Sequence, residues 1–177
     1  MRKRTVGAPL LVRASPLDPC RGILQFGPLR LPCALGRAGR TSRKREGDGG
    51  TPLGDHAIEW GWMRRDRTVV PASPLTLAST RPHEGWCDAP DDACYNRPVR
   101  LPHRSGAETL CRKDRLYDVV IVLDYNYRER VRGRGSAIFL HVAKPGYPPT
   151  EGCVALSPAD MRRILPYLRR GRVLRVL

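Results

Sequence analysis

The sequence lacks several patterns that would assign it to a common class of protein. No run of 18 apolar residues occurs, so the sequence predicts no transmembrane helix. No CxxC pair occurs among the six cysteines, which disfavours a zinc ribbon or a thioredoxin-type redox motif. An aromatic–basic RNA motif, a zinc finger, a basic zipper and an internal repeat are also missing. With 177 residues, one domain with a core of its own is the expectation.

The charge is strongly unbalanced. The formal net charge is +15, nearly all of it from arginine, and such a chain is attracted to polyanions such as nucleic acid, anionic membrane or cell-wall polymer. The arginines are scattered along the chain instead of being gathered in one helix or tail. We therefore expect a solvated, arginine-rich surface and no specific nucleic-acid site.

The N-terminal segment predicts a flexible basic leader over residues 1–21. Its only apolar run, Ala8–Val12, is short and is broken by Arg13, so it does not match a secretory signal. Export is therefore not predicted by the sequence. The 17 glycines and 17 prolines favour a loop-rich fold of short strands over a helical bundle.

Apolar runs predict strands in two parts of the chain. Spaced apolar residues over Gly22–Leu35 predict one or two strands. Leu116–Tyr125 has a continuous β-branched centre, which is typical of a strand buried on both faces. Ser136–Val142 predicts a further strand, and the charged, glycine-terminated segment Asn126–Gly135 predicts a hairpin connection between the two.

A helix is predicted near the C-terminus. Ser157 is a favourable N-cap, Pro158 suits the first helical position, and Asp160 places an acid in the first turn. Apolar residues follow at helical spacing, and Gly171 ends the helix. The remaining residues, Arg172–Leu177, predict a final strand.

The cysteines leave their pairing open. Cys87 and Cys94 flank an acidic stretch and could form a disulfide in an oxidising compartment, or remain two thiols. The same choice holds for Cys20 and Cys33.

The pair that suggests chemistry is His141, in a predicted strand, and Cys153, which follows a proline-stiffened loop. An imidazole beside a thiol can take its proton, which gives a thiolate–imidazolium pair. Gly152 allows close approach of a substrate, and N–H groups around Cys153 could stabilise an oxyanion. The competing interpretation is structural, because an isolated cysteine is usually a small core residue.

These residues resemble the L,D-transpeptidase catalytic domain (YkuD-like) family. Its hallmark is a histidine, a variable loop, and then Ser/Thr-His-Gly-Cys before an apolar residue. The positions of this chain that fall on the pattern are His141, Thr150, Gly152, Cys153 and Val154. The turn Thr51–Gly54 is similar to a Thr-Pro-x-Gly turn of the family. Glu151 stands where most members have a second histidine, and Ala155 stands where Asn or Arg is common.

The resemblance implies a fold and roles for these residues. The fold would be mainly β, a sandwich or flattened barrel with a short helix after the catalytic cysteine, spanning residues 22–177. Cys153 would be the nucleophile and His141 the general base, with the carbonyl of Val142 orienting the imidazole. Backbone N–H groups of Glu151, Gly152 and Cys153 would form the oxyanion hole. No metal or organic cofactor would be needed.

The resemblance also implies a function. The family cross-links bacterial peptidoglycan: the thiolate attacks a donor stem tetrapeptide, releases D-alanine, and passes the acyl group to an amine of a neighbouring stem. The partners would be peptidoglycan stem peptides, the location the bacterial cell envelope, and the expected state a monomer. A peptidoglycan L,D-carboxypeptidase or related cysteine hydrolase is the nearest alternative. A non-catalytic basic module that binds cell-wall or nucleic-acid polyanions is the alternative from another class.

Other loop residues are weaker candidates. Thr150 and three loop residues could contact substrate: Trp86, Tyr95 and Asn96. Glu46 and Asp48 could also line a cleft. The remaining histidines are expected on the surface: His56, His83 and His103.

Overall fold

The computed structural model describes residues 7–69 and 71–177. The strands of the first half are β1 (Leu10–Ala14), β2 (Arg21–Phe26), β3 (Leu29–Ala34), β4 (Arg40–Thr41), β5 (Thr51–Pro52), β6 (Gly54–Met63), β7 (Leu77–Ser79) and β8 (Glu84–Cys87). The elements of the second half are β9 (Arg97–Arg100), β10 (Ala107–Thr109), β11 (Val119–Leu123), β12 (Phe139–Val142), β13 (Val154–Leu156), helix α1 (Pro158–Ile164), a 3₁₀ turn (Leu165–Tyr167) and β14 (Val173–Val176).

Nine strands form one sheet, in the order β11-β12-β13-β3-β2-β1-β14-β6-β7. Strand β11 also pairs with β6, so eight of the strands close on themselves and β7 extends the sheet from β6. Two small sheets, β10-β8-β9 and β4-β5, lie outside it. The expected fold, a mainly β flattened barrel with a short helix after Cys153, is confirmed.

Strand β11 separates two apolar clusters. All five of its residues are buried. Val119, Ile121 and Leu123 belong to the larger cluster inside the barrel, whereas Val120 and Val122 face a smaller, aromatic-rich cluster that includes Cys153. The prediction of a strand buried on both faces is therefore confirmed, because successive side chains of a strand point to opposite sides.

Helix α1 begins as the sequence predicted. The hydroxyl of Ser157 accepts a hydrogen bond from the N–H of Asp160 at 3.0 Å, and Pro158 opens the helix. Met161 and Ile164 are buried, and α1 packs against β12 and β13. The helix thus supports the two strands that carry His141 and follow Cys153.

The predicted leader requires a correction. Leu10 and Val12 are fully buried, and β1 pairs with β2 and with the last strand, β14. The folded domain therefore begins before residue 22, because a partner from the far end of the chain completes this short apolar run. Residues 1–6 of the predicted leader lie outside the described residues.

A second correction concerns the histidines expected on the surface. His56 is buried, and its Nε2 lies 2.9 Å from the carbonyl oxygen of Pro52. His83 and His103 are half-buried. In the part of the chain that the structure describes, no helix has the length and apolar character needed to span a membrane.

Candidate active site

Parallel pairing of β12 with β13 brings the predicted pair together. His141 lies opposite Ala155, and Cys153 immediately precedes β13. The side chains of His141 and Cys153 line one cavity of about 480 Å³. The sequence separates these residues by a loop, and the sheet places them on the same cavity wall.

The turn before Cys153 explains two residue types of the motif. The Thr150 hydroxyl donates to the Cys153 carbonyl at 2.7 Å and accepts from the Gly152 N–H at 3.2 Å, so it holds the turn closed. Gly152 has φ +126°, and a Cβ there would lie 2.8 Å from the carbonyl oxygen of Gly50. Glycine is therefore required both by conformation and by space.

A second segment supports this turn from behind. The N–H of Gly36 donates to the buried hydroxyl of Thr51 at 2.8 Å, and Gly36 forms a parallel β-bridge with Thr150. A Cβ on Gly36 would lie 2.1 Å from the carbonyl oxygen of Gly49. Thr51, the first residue of the Thr-Pro-x-Gly turn, therefore holds Gly36 beside the turn that precedes Cys153.

The thiol of Cys153 is held within the protein. Its Sγ accepts from the N–H of Phe139 at 3.4 Å and donates to the carbonyl of Ala137 at 3.2 Å. Burial raises the pKa of Cys153 to about 12, and the charge of Glu108 adds to the effect. The resting side chain is therefore a neutral thiol at neutral pH.

His141 is also neutral. Its Nδ1 lies 2.9 Å from the carbonyl oxygen of Val142, which only accepts, so in the neutral ring Nδ1 carries the proton and Nε2 the lone pair, and the backbone of Leu116 is a second partner of the ring. Burial lowers the pKa of His141 to about 4. The expected thiolate–imidazolium pair is thus not the resting form, because burial disfavours the charged state of each partner.

One wall of the cavity carries residues that sequence reasoning missed. The Tyr117 hydroxyl donates to Glu108 at 2.9 Å, and its ring meets His141 edge-on with centroids 5.4 Å apart. Arg112 lies 5.3 Å from the Tyr117 ring centroid and pairs with Asp114 at 2.8 Å. Burial raises the pKa of Glu108. Glu108 lies in the three-residue strand β10 and the others lie in the irregular segment that follows it, and no sequence motif distinguishes them.

Three of the weaker candidates, Trp86, Tyr95 and Asn96, are not among the residues that line this cavity. Asn96 accepts from Trp86 Nε1 at 3.0 Å and from the N–H of Ala137 at 3.1 Å. The Tyr95 hydroxyl accepts from the N–H of Gly135 at 3.1 Å. All three candidates are buried. They therefore fix the segment whose Ala137 carbonyl accepts the thiol proton, which is a positioning role.

The remaining candidates have separate environments. Glu46 lines the cavity and accepts a hydrogen bond from Tyr95. Asp48 instead caps its own loop, where it accepts from the N–H groups of Arg45 and Gly50. Glu151, which occupies the position of the family's second histidine, pairs with Arg37 at 2.8 Å on the exposed rim.

In a comparison with known proteins, no curated protein matches the chain significantly. Among solved structures, L,D-transpeptidase 1 of Mycobacterium tuberculosis is similar, with 13% sequence identity and a TM-score of 0.39. The match covers 95% of this chain and 61% of that one, so the chain spans less than two thirds of its length. The sequence profile of the family described as L,D-transpeptidase catalytic domain (YkuD) matches residues 27–176, which is most of the chain. The chain therefore belongs to the L,D-transpeptidase catalytic domain family.

Proposed function

We propose that the protein is a cysteine acyltransferase that cross-links peptidoglycan stem peptides through an acyl-enzyme on Cys153. The observation that supports this is the shared cavity of Cys153 and His141, in which the hydrogen bond to the Val142 carbonyl places the proton of the neutral imidazole on Nδ1 and its lone pair on Nε2. The family to which the chain belongs supports the substrate class and a location in the cell envelope.

Acylation begins from a neutral thiol and a neutral imidazole. The thiol leaves its hydrogen bond to the Ala137 carbonyl when substrate enters, and it passes its proton to Nε2 of His141 as sulfur attacks. The new S–C bond pushes the carbonyl electron pair onto oxygen. The imidazolium then protonates the leaving amine of D-alanine, the C–N bond breaks, and a thioester remains. Charge forms only in the presence of substrate, which agrees with a site that disfavours resting charges.

Deacylation reverses these roles. An acceptor amine attacks the thioester and loses a proton to His141, and the departing sulfur recovers a proton from the same imidazole. Water as acceptor would give the free acid instead, which is the carboxypeptidase alternative. The choice depends on which acceptor the cavity admits.

Backbone groups of the cysteine turn are proposed to stabilise the oxyanion. The candidates are the N–H groups of Glu151, Gly152 and Cys153. The N–H of Gly152 already donates to the Thr150 hydroxyl at 3.2 Å, so its contribution requires exchange of that long bond for one to the oxyanion.

The cavity also carries both signs of charge. Glu46 and Glu108 line it together with Arg112 and Lys144. A stem peptide carries both carboxylates and amines, so side chains of both signs suit it. Guanidinium and ammonium groups would bind its carboxylates, and carboxylates would bind its amines.

Incubation with purified muropeptides tests the proposal. The full chain is mixed with disaccharide tetrapeptides, and mass spectrometry follows free D-alanine and cross-linked dimers. We expect both products from the native protein and neither from Cys153→Ala. Cys111→Ala, which removes a thiol that does not line the cavity, is the matched control and should leave both products. Release of D-alanine without dimers would favour the carboxypeptidase, and no release would contradict acyl transfer.

A carbapenem gives a second readout that needs no acceptor. Attack of sulfur on the strained lactam carbonyl opens the ring and leaves a covalent adduct. The intact mass should rise by one drug equivalent in the native protein and in Cys111→Ala. An adduct that persists in Cys153→Ala would show that the nucleophile lies elsewhere.

A further inference from the structure

Three potential metal ligands meet outside the catalytic cavity. Cys87 ends strand β8, Asp92 lies in the turn after it, and His103 lies in the loop after β9. One donor atom from each lies within 4.8 Å of the other two. Three separate segments of the small sheet and its loops thus converge on one point.

The geometry of this cluster fits a bound ion better than a simple ion pair. Nε2 of His103 lies 3.4 Å from Oδ2 of Asp92. In the described part of the chain this nitrogen is buried and makes no hydrogen bond, which is costly for a polar atom. Ligands about 2.1 Å from a tetrahedral zinc ion are themselves about 3.4 Å apart. An ion between the two atoms would therefore satisfy the nitrogen without moving either residue.

The donor types favour one metal. Sulfur, imidazole nitrogen and carboxylate oxygen together are typical ligands of zinc, whereas calcium and magnesium take oxygen. The carboxylate is held by neighbours, as zinc-ligating carboxylates usually are: it accepts from the N–H of Cys94 at 2.7 Å, from Ser105 Oγ at 2.6 Å and from Arg104 Nε at 3.2 Å.

We infer that Cys87, Asp92 and His103 bind one structural Zn²⁺ ion, with water in the fourth position. Binding replaces the proton of the Cys87 thiol with the metal and releases that proton to solvent. A CxxC pattern is not required, because the ligands come from three separate segments.

The ion would stabilise the segment that supports the catalytic cavity. Asp88, next to Cys87, lines the cavity. The N–H of Asn96 donates to the Cys87 carbonyl at 2.9 Å, and Asn96 holds Ala137. Zinc would therefore fix the loop of residues 88–96 without contacting the reacting atoms. This inference does not depend on the proposed acyl transfer.

Metal titration of the tag-free full chain tests the site. The reduced protein is stripped with a chelator and titrated with Co²⁺, and Zn²⁺ then displaces the cobalt. We expect one equivalent, visible absorption of tetrahedral cobalt, and a thiolate-to-cobalt charge-transfer band. Cys87→Ser and His103→Gln should each weaken zinc binding at least 100-fold, since even outer-shell partners are typically worth about 10–100-fold. Cys111→Ser and His83→Gln are the matched controls and should bind as the native chain does.

Three results would overturn the inference. The first is failure of the reduced native chain to bind Zn²⁺ near stoichiometry. The second is unchanged affinity in both ligand variants. The third, which does not depend on the variants folding, is a zinc K-edge spectrum of the native chain with only nitrogen and oxygen neighbours. The first result, combined with a Cys87–Cys94 disulfide in protein purified without reductant, would assign the two cysteines to a disulfide instead.

Discussion

The cavity that contains Cys153 and His141 has two sides that are built by different means. The first, here called the floor, comprises residues 136–155 and carries His141 and Cys153. It is held by backbone hydrogen bonds, by glycine contacts and by neutral buried groups. The second, here called the wall, comprises the cavity-lining residues of the segment 80–118, which has short strands and long loops, and it carries charged side chains such as Glu108 and Arg112.

The residue types of the two sides are therefore determined by different constraints. Residues of the floor are dictated by local geometry: Gly152 must adopt φ +126°, and Thr150 must bridge its own turn. Residues of the wall are dictated by what they meet across the cavity. The floor is therefore expected to fix whether the chemistry occurs, and the wall to tune it.

Removal of the base in the floor should have the largest effect. His141→Gln keeps a hydrogen-bonding side chain but cannot take the proton from Cys153. We expect turnover to D-alanine to fall about 10²–10⁴-fold, the usual contribution of a general base. The rate of carbapenem adduct formation should fall in parallel.

His83→Gln, a change of a half-buried histidine outside the cavity, is the control and should keep normal rates. If His141→Gln keeps near-normal turnover while folded, another group is the base. The first candidate would then be Glu151, which replaces the family's second histidine.

Addition of one methyl group at Gly152, in the same floor, should destabilise the folded protein. Gly152→Ala places a Cβ 2.8 Å from the Gly50 carbonyl oxygen at φ +126°, so strain and a clash add together. We expect a loss of about 3 kcal/mol in the free energy of unfolding, measured with urea. Gly133→Ala is the matched control, since Gly133 has φ +72° and open space around it. The Gly133→Ala variant should lose only about 1 kcal/mol in the free energy of unfolding. Equal losses would show that the contact with Gly50 is unimportant.

The division also explains what could be predicted from the sequence. Strand β11 and the start of α1 follow from local patterns, and the partnership of His141 with Cys153 was predicted from the resemblance to the family motif. Strand β1 did not, because its apolar run is too short to be informative without β14, its partner from the other end of the chain. Glu108 was missed because its importance arises only where the fold brings it near Tyr117 and the thiol.

The ionisation states of His141 and Cys153 could not be predicted from the sequence either. A histidine near a cysteine predicts a thiolate–imidazolium pair. Burial instead raises the pKa of Cys153 and lowers the pKa of His141, so it favours the neutral form of each residue. Solvent exclusion depends on the whole barrel, so no local sequence motif indicates it.

Acid should destabilise the floor through His141. The unfolded histidine has a pKa near 6.5, and burial lowers the folded pKa to about 4. Between these values the unfolded state binds more protons, so stability falls as the pH falls from 6.5 to 4. The full difference is about 3 kcal/mol.

Urea unfolding at a series of pH values measures this effect. The native chain should lose about 3 kcal/mol more than His141→Gln across the window, whereas His83→Gln should follow the native slope. Parallel curves for the native chain and His141→Gln would mean that the imidazole is not buried as described.

The smallest effect is expected from the wall, where Glu108 acts on the thiol through its charge. At pH 7 the buried Cys153 should react with iodoacetamide more slowly than the partly exposed Cys20, Cys94 and Cys111, as peptide mapping can show. Glu108→Gln keeps an acceptor for the Tyr117 hydroxyl but removes a charge that raises the pKa of Cys153. Labelling of Cys153 at pH 9 should therefore become about two- to tenfold faster, since one pKa unit is a tenfold change in thiolate. Glu151→Gln removes a charge that is exposed and paired with Arg37, so it should change the rate less than twofold. A larger effect of Glu151→Gln than of Glu108→Gln would place the electrostatic control of the thiol on the rim of the floor, and the wall would then have no influence on the nucleophile.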